Sequence, residues 1–396
     1  MRTLRLSAPR RALNRSRRAA LVALAMVVAA VVPASLRAQG GWLTNLYPYA
    51  YYSGIDGWWG GGHYAVTSPV AAPDRPEPYA ADLSLDASGS TAGSYHFVVG
   101  ARAPAYWPGW RAAMTLTAAR DNRLGFYGLG NDTPFSSDSA TATAPYFYRV
   151  ARTYASVRAI VARRMTGPVR VFVSATVERT TFRPLAGPSV FASDLARGAE
   201  GATGAPFTDR AMQGGIAFDT RDDEVDPHRG VLVEGAFGGG TGYTRTTAFA
   251  RAYAHPTARC VVAARVEGQD LGGSPPLASE VTIDEGEQEF LTLGGYQSLR
   301  GYDDARFLGT GALLGGLEVR YAVVRAPSVL ELKIVAFYDA GRVFGPGEGW
   351  RLTTAELHHA AGGELALRFL RRTLVIAGVG AGADGALFLF GTQWSF

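Results

Sequence analysis

Arg170-Val171-Phe172-Val173-Ser174-Ala175-Thr176-Val177-Glu178 places Val171, Val173, Ala175 and Val177 on one side of an extended chain. Arg170, Ser174, Thr176 and Glu178 fall on the other side. Alternation at 180° per residue marks a β-strand. A row of valines opposite a row carrying Arg and Glu suits a strand with lipid against one face and water against the other. The pattern recurs in Tyr95–Arg102, where Tyr95, Phe97 and Val99 oppose His96, Gly100 and Arg102. It recurs again in Leu317–Tyr321, where Leu317, Val319 and Tyr321 oppose Glu318 and Arg320.

Composition alone leaves two β architectures open. Mean hydropathy is +0.02, with 49 glycines and 11% aromatic residues. A helical membrane protein would be far more apolar, whereas a soluble sandwich and a transmembrane barrel both average near zero. The alternation decides for an all-β, transmembrane antiparallel β-barrel. Candidate strands lie near 47–55, 58–67, 79–88, 94–103, 110–120, 146–163, 168–181, 211–221, 230–238, 243–254, 258–270, 311–324, 331–344, 357–369, 372–381 and 386–396. These are sixteen strands, and a spanning strand needs about 9–11 residues. Pro69–Pro78, Gly125–Ala144 and Gly187–Asp209 read as loops, from their Pro, Gly, Ser and Thr content.

The first 38 residues read as a secretion signal, leaving 39–396 as one barrel domain. Seven arginines between Arg2 and Arg18 precede an uncharged run from Ala19 to Ser35, then Leu36-Arg37-Ala38. Of the 39 basic residues, eight arginines belong to that leader, which holds no acid. The remainder therefore carries 31 basic against 34 acidic residues, a net of −3. Nucleic-acid binding loses its compositional support. Cys260 is the sole cysteine, so an intrachain disulfide and a Cys-rich metal site are excluded. The six histidines are scattered, His358 and His359 alternate faces, and no Gly-x-Ser-x-Gly elbow exists. No cofactor or metal is expected, and no enzyme.

The segment Gly272–Gly311 is too long for a tight turn and too polar for a lipid-facing strand. Within it, Leu293-Gly294-Gly295-Tyr296-Gln297-Ser298-Leu299-Arg300-Gly301-Tyr302 resembles the Gly-Gly…Val-Arg-Gly-Phe/Tyr motif at the tip of the sixth extracellular loop of the BamA/TamA superfamily, with Ser-Leu in place of the usual small residue and valine. Gly315–Tyr321 and Phe337–Val343 resemble the strand motifs that follow that loop. Phe218-Asp219-Thr220-Arg221-Asp222-Asp223, with Pro227 and Gly230, resembles another segment of the family, and Phe126–Pro134 is similar to barrel-only relatives in the bacterial surface antigen family. The likeness is clearest over 211–396.

The resemblance implies that the long loop folds into the lumen. Arg300 would then leave bulk water, and a stranded charge would cost several kcal/mol, so it needs partners. Glu318 and Asp339, inward-facing by alternation on adjacent strands, can receive a guanidinium bidentately. The expected latch is Arg300, Gly301, Tyr302, Glu318 and Asp339, with Gly301 allowing a tight turn. The alternative is an exposed Arg300 and a Glu318/Arg320 wall pair worth about 0–1 kcal/mol.

In the last strand, Phe388, Phe390, Thr392, Trp394 and Phe396 fall on one face. This ending resembles the signal read by the outer-membrane assembly machinery. Trp394 and Phe396 are the expected assembly-signal residues, and that machinery is an expected partner, with this chain as client. POTRA domains, which accompany the inserting members of the family, have no room before this barrel. The implied function is assistance in inserting or translocating outer-membrane proteins or lipids, with outer-membrane lipid and unfolded barrel or lipid cargo as further partners. A passive or gated pore, or a structural surface antigen, is the alternative. An outer-membrane phospholipase ranks third.

Overall fold

The structure, a computed structural model, describes residues 41–396 apart from 54, 70–75, 200–201, 327–329 and 370–372. The segment expected as a secretion signal lies outside the described residues. Sixteen strands form one sheet in chain order. The first eleven are β1 (Leu43–Ser53), β2 (Gly57–Ser68), β3 (Ala81–Ser90), β4 (Tyr95–Trp107), β5 (Trp110–Gly125), β6 (Arg149–Thr166), β7 (Val169–Pro184), β8 (Phe207–Asp219), β9 (Gly230–Gly240), β10 (Tyr243–Thr257) and β11 (Cys260–Gly273). After the long loop come β14 (Gly311–Ala326), β15 (Leu330–Phe344), β16 (His358–Phe369), β17 (Thr373–Gly382) and β18 (Gly385–Gly391). Within the loop, β12 (Thr282–Glu285) and β13 (Gln288–Leu291) make a separate hairpin. The sheet ends, β1 and β18, approach where Tyr51 stacks on Phe390 with ring centroids 5.0 Å apart. The sheet is thus a nearly closed antiparallel barrel.

Each of the sixteen expected strands has one counterpart. The burial is inverted relative to a water-soluble protein. On β7, Val173 is 54% exposed and its neighbour Ser174 only 3%. On β14, Leu317, Val319 and Tyr321 are exposed while Glu318 and Arg320 are buried. The apolar row faces outward to lipid and the charged row packs the lumen. Phe172, on the inward row of β7, fills lumen space as well. Exposed aromatics gather at both rims: Tyr52 and Trp58 at one, Tyr106, Trp107 and Trp110 at the other. Such girdles mark the two membrane interfaces. The β5–β6, β7–β8, β11–β14 and β15–β16 connections are long and share one end, whereas those between β4 and β5, β6 and β7, and β10 and β11 are tight. Longer loops face the cell exterior in outer-membrane barrels.

Two expectations change. Gly187–Asp209 contains a helix, α1 (Val190–Arg197), started by the Ser189 hydroxyl accepting from Ala192 N and ended at Gly198 with φ 65°. The final strand stops at Gly391 instead of continuing to Phe396. Trp394, Ser395 and Phe396 turn into the lumen and are buried. There Trp394 lies 3.8 Å from the Arg320 guanidinium and Phe396 4.7 Å from that of Arg265. The Trp394 indole donates to Asp226 at 3.0 Å, and the Ser395 hydroxyl to Glu318 at 2.8 Å. Aromatic faces supply buried cations with an electrostatic partner, which continued alternation along the wall would not.

Candidate functional site: a loop anchored inside the barrel

Glu318, Phe337, Asp339 and Glu364 converge because three antiparallel strands bring them to one level. Glu318 pairs with Phe337 across β14 and β15, and Val335 with Glu364 across β15 and β16. Alternation turns Glu318, Phe337, Asp339 and Glu364 inward, and all are buried. Arg300, fully buried, descends on this patch. Its Nε and Nη2 donate to the two Asp339 oxygens at 2.8 and 2.9 Å, a bidentate pair. Its Nη1 donates to Glu318 at 2.5 Å and to Glu364 at 3.4 Å. The guanidinium carbon sits 3.8 Å from the Phe337 ring centroid. Burial works against the Arg300 charge, but Glu318, Asp339 and Glu364 outweigh it and raise its pKa above the ordinary arginine value. Arg320 bonds the other Glu318 oxygen at 2.7 Å.

Close backbone approach makes this possible. A Cβ on Gly380 would lie 1.8 Å from the Arg300 carbonyl oxygen, and one on Gly301 2.4 Å from the Ala381 carbonyl carbon. Gly301 is therefore required by contact with β17. Gly301 is also a central residue of the tight turn at the tip, closed by Tyr302 N donating to the Leu299 carbonyl at 3.1 Å, and Gly294 (φ 121°) and Gly295 (φ 91°) bend the chain upstream of it. Tyr302 is buried against Phe307 and accepts a hydrogen bond from Ala383 N at 3.1 Å.

The same loop has a second anchor of opposite sign. The β12–β13 hairpin carries Asp284 to the far wall, where Arg158 donates twice, at 2.8 and 2.5 Å. Gln213 donates to it at 2.8 Å and Arg245 at 3.2 Å. Burial would raise the Asp284 pKa, yet the Arg158 and Arg245 charges and the Gln213 amide hold it below the usual carboxylate value. Next to it, Glu285 receives Arg251. Between the anchors, Ile283, Phe290, Leu293, Leu299, Tyr302 and Phe307 build an apolar cluster within the lumen.

The remaining motifs frame this plug. Above it, the β5–β6 loop meets the 274–310 loop through a Leu129–Leu308 bridge. Asp303 accepts from Tyr127 at 2.9 Å and from Arg149 at 2.5 Å. Below it, the Asp219–Gly230 segment crosses the barrel mouth. Its Glu224 pairs with Arg111 on β5 at 2.7 Å. Its Asp226 pairs with Lys333 at 2.6 Å and Arg368 at 2.8 Å on β15 and β16. Burial would raise Asp226, but Lys333 and Arg368 bring its pKa down to about 2.

The structure brings Arg300, Glu318 and Asp339 together, with Gly301 and Tyr302 packed beside them. Trp394 and Phe396 lie in the same lumen rather than on the lipid face. Sequence reasoning missed Glu364, Asp284 and Asp226. The even spacing of Glu364 and Ala366 on an alternating strand was the available signal for the first; none marked Asp284.

Comparison with known proteins agrees with this architecture. The Omp85 superfamily domain matches residues 81–382. A search of curated protein sequences returns no match. Among solved structures, BamA from Haemophilus ducreyi lacking POTRA domains 1-3 superimposes with a TM-score of 0.53 at 10% identity, covering 88% of this chain and 69% of that one. CdiB from Escherichia coli gives a TM-score of 0.58 at 10% identity, covering 88% of this chain and 61% of that one. A barrel that is lipid-facing outside, charged within and matched by that domain over most of its length belongs to the Omp85 superfamily and resides in the bacterial outer membrane.

Proposed function

We propose that this barrel assists insertion or translocation of outer-membrane polypeptides or lipids, with the 274–310 loop latched in its lumen by Arg300. The observation that carries the reading is the fully buried Arg300 held by carboxylates from three neighbouring strands. A buried, hydrogen-bonded charge cluster adds little net stability but is lost entirely if one partner fails. It therefore fixes one loop position rather than many. A passive pore needs an open lumen, and here the loop packs an apolar cluster against the wall inside it.

The working part would be the seam between β1 and β18. β1 and β18 are the two ends of the sheet and share no ladder among the described residues, with Tyr51 stacked on Phe390 across the gap. At about 1 kcal/mol net per hydrogen bond, a seam without a ladder is cheaper to part than any paired boundary. Outer-membrane lipid and an unfolded barrel chain are the partners this route implies. The carboxy-terminal aromatics Trp394 and Phe396 act as an assembly signal while the chain is unfolded, before they reach the lumen.

The test uses lipid vesicles holding the protein and an unfolded outer-membrane barrel added from urea. Folding of the added barrel should be faster than in empty vesicles. In a Cys260→Ser background, Tyr51→Cys with Phe390→Cys, bridged by a short bis-maleimide, should abolish the acceleration, and the unbridged variant should keep it. Equal folding with and without the protein defeats the assembly reading. A steady open conductance in planar bilayers would establish the pore in its place.

A further inference from the structure

On the outer wall, four arginines stand on the outward rows of β5, β7 and β8, near the end that carries the long loops. Arg120 continues the lipid-facing row of Met114, Arg179 and Arg183 that of Val173 and Val177, and Arg210 that of Met212 and Ile216. All four are exposed. The acids beside them in sequence, Asp121, Glu178 and Asp209, are turned inward, where they accept from Arg152, Thr180 and Tyr243. Among the described residues, none of the four has an ion pair. Arg120 donates to the Asn122 side chain at 2.7 Å and Arg179 to the Thr208 hydroxyl at 3.0 Å. The outward rows of β5 to β8 hold no carboxylate. The described acids of the loops beyond, Asp132, Asp138 and Asp194, are not paired with any of the four. The patch therefore keeps its positive charge.

The sheet register groups them into pairs. Arg179 lies opposite Thr208, so Arg210, two residues further along β8, is its diagonal neighbour, at about 7–8 Å. Arg120 lies opposite Thr153 and Arg183 opposite Ala151, so these two face each other across the short side chains of β6. Their depth is set by Tyr95, the ladder partner of Arg120, which is 43% exposed on the outer wall. An outward tyrosine at a strand end marks the membrane interface. Arginines at that depth lay their stems on the apolar wall and hold their charge among the headgroups. The opposite ends of the same strands differ. There the outward Arg163 is covered by Trp110, with its guanidinium 4.6 Å from the ring, and its neighbours Val171 and Phe218 are apolar. The open basic patch thus belongs to the outer leaflet.

We propose that this patch binds the phosphate groups of an outer-leaflet glycolipid, a phosphorylated sugar headgroup carrying several acyl chains. A guanidinium gives a phosphate two parallel hydrogen bonds, where an ammonium gives a point charge, and all four cations are arginines. Two pairs suit a headgroup with two phosphates, one for Arg179 with Arg210 and one for Arg120 with Arg183. The acyl chains would then lie along the valine and methionine rows below. Charge complementarity selects this occupant over a zwitterionic lipid, and depth selects it over lipids of the inner leaflet. The inference rests on the barrel and its orientation, and stands apart from the insertion reading.

The experiment uses the folded full-length barrel and native mass spectrometry in magnesium-free detergent. The probes are diphosphoryl lipid A, monophosphoryl lipid A and phosphatidylglycerol. The parent should retain the diphosphoryl form most strongly and phosphatidylglycerol least. At least one of the variants Arg179→Gln/Arg210→Gln and Arg120→Gln/Arg183→Gln should weaken retention of diphosphoryl lipid A about tenfold or more. Arg163→Gln, at the opposite rim, should leave it unchanged. All these changes lie on the outer wall, and heat-modifiable migration verifies each fold. No retention of lipid A, or equal retention by the parent and both paired variants, overturns the site. Phosphatidylglycerol held as strongly as diphosphoryl lipid A reduces the patch to unselective attraction and overturns the glycolipid.

Discussion

The two anchors of the 274–310 loop are opposites. At one wall, the loop offers a cation, Arg300, to Glu318, Asp339 and Glu364. At the other, it offers an anion, Asp284, to Arg158 and Arg245. The acidic patch sits on three consecutive strands, β14 to β16, whereas the basic one draws on β6, β8 and β10. A loop with opposite charges at its two ends has one favourable orientation in the lumen. Turned around, each end would meet its own sign. The polarity of the wall thus specifies how the plug sits, and apolar packing between the anchors then fixes it.

Charge reversal at the first anchor should break this arrangement most severely. Arg300→Glu would bring a fourth carboxylate onto the patch, with a loss of about 3–5 kcal/mol or more. Heat-modifiable migration should show no stable barrel, and Asp339→Arg in the same chain should restore it. Asp284→Asn attacks the opposite anchor. It keeps a polar partner for Gln213 but leaves Arg158 and Arg245 without a countercharge, at about 3 kcal/mol. The urea midpoint should drop while the barrel still forms, which would rank the acidic patch above the basic one.

Asp226 sharpens the contrast, since it is another acid between two cations, but at the mouth. Its folded pKa of about 2 lies below the usual carboxylate value. That depression contributes stability above the unfolded pKa, near 4, and the contribution disappears as pH falls from there through 2. A depression of this size is worth roughly 2 kcal/mol. Unfolding followed between pH 5 and 2 should show that acid limb, and Asp226→Asn should flatten it.

The barrel was readable because its alternation is carried by covalent geometry: inward and outward rows follow from the strand itself. Arg300, Glu318 and Asp339 were readable because a contiguous motif and its following strands preserve their order. Asp284 was not, as its partners Arg158, Gln213 and Arg245 are brought to it only by closing the sheet. The carboxy-terminal bend was hidden for a related reason. Thr392, Trp394 and Phe396 continue the strand pattern, and only the distant Arg265 and Arg320 draw them inward. α1 did announce itself locally, through Ser189 and Gly198, but its eight residues sit in a segment whose composition reads as loop.

Lys333 is the only lysine in the sequence, and it is buried beneath the segment that crosses the barrel mouth. The chain thus owns a single ε-amine, placed where it is shielded only while that crossing segment stays down. Acylation at Lys333, told apart from that of the α-amine by peptide mapping, would accordingly clock the lifting of the floor.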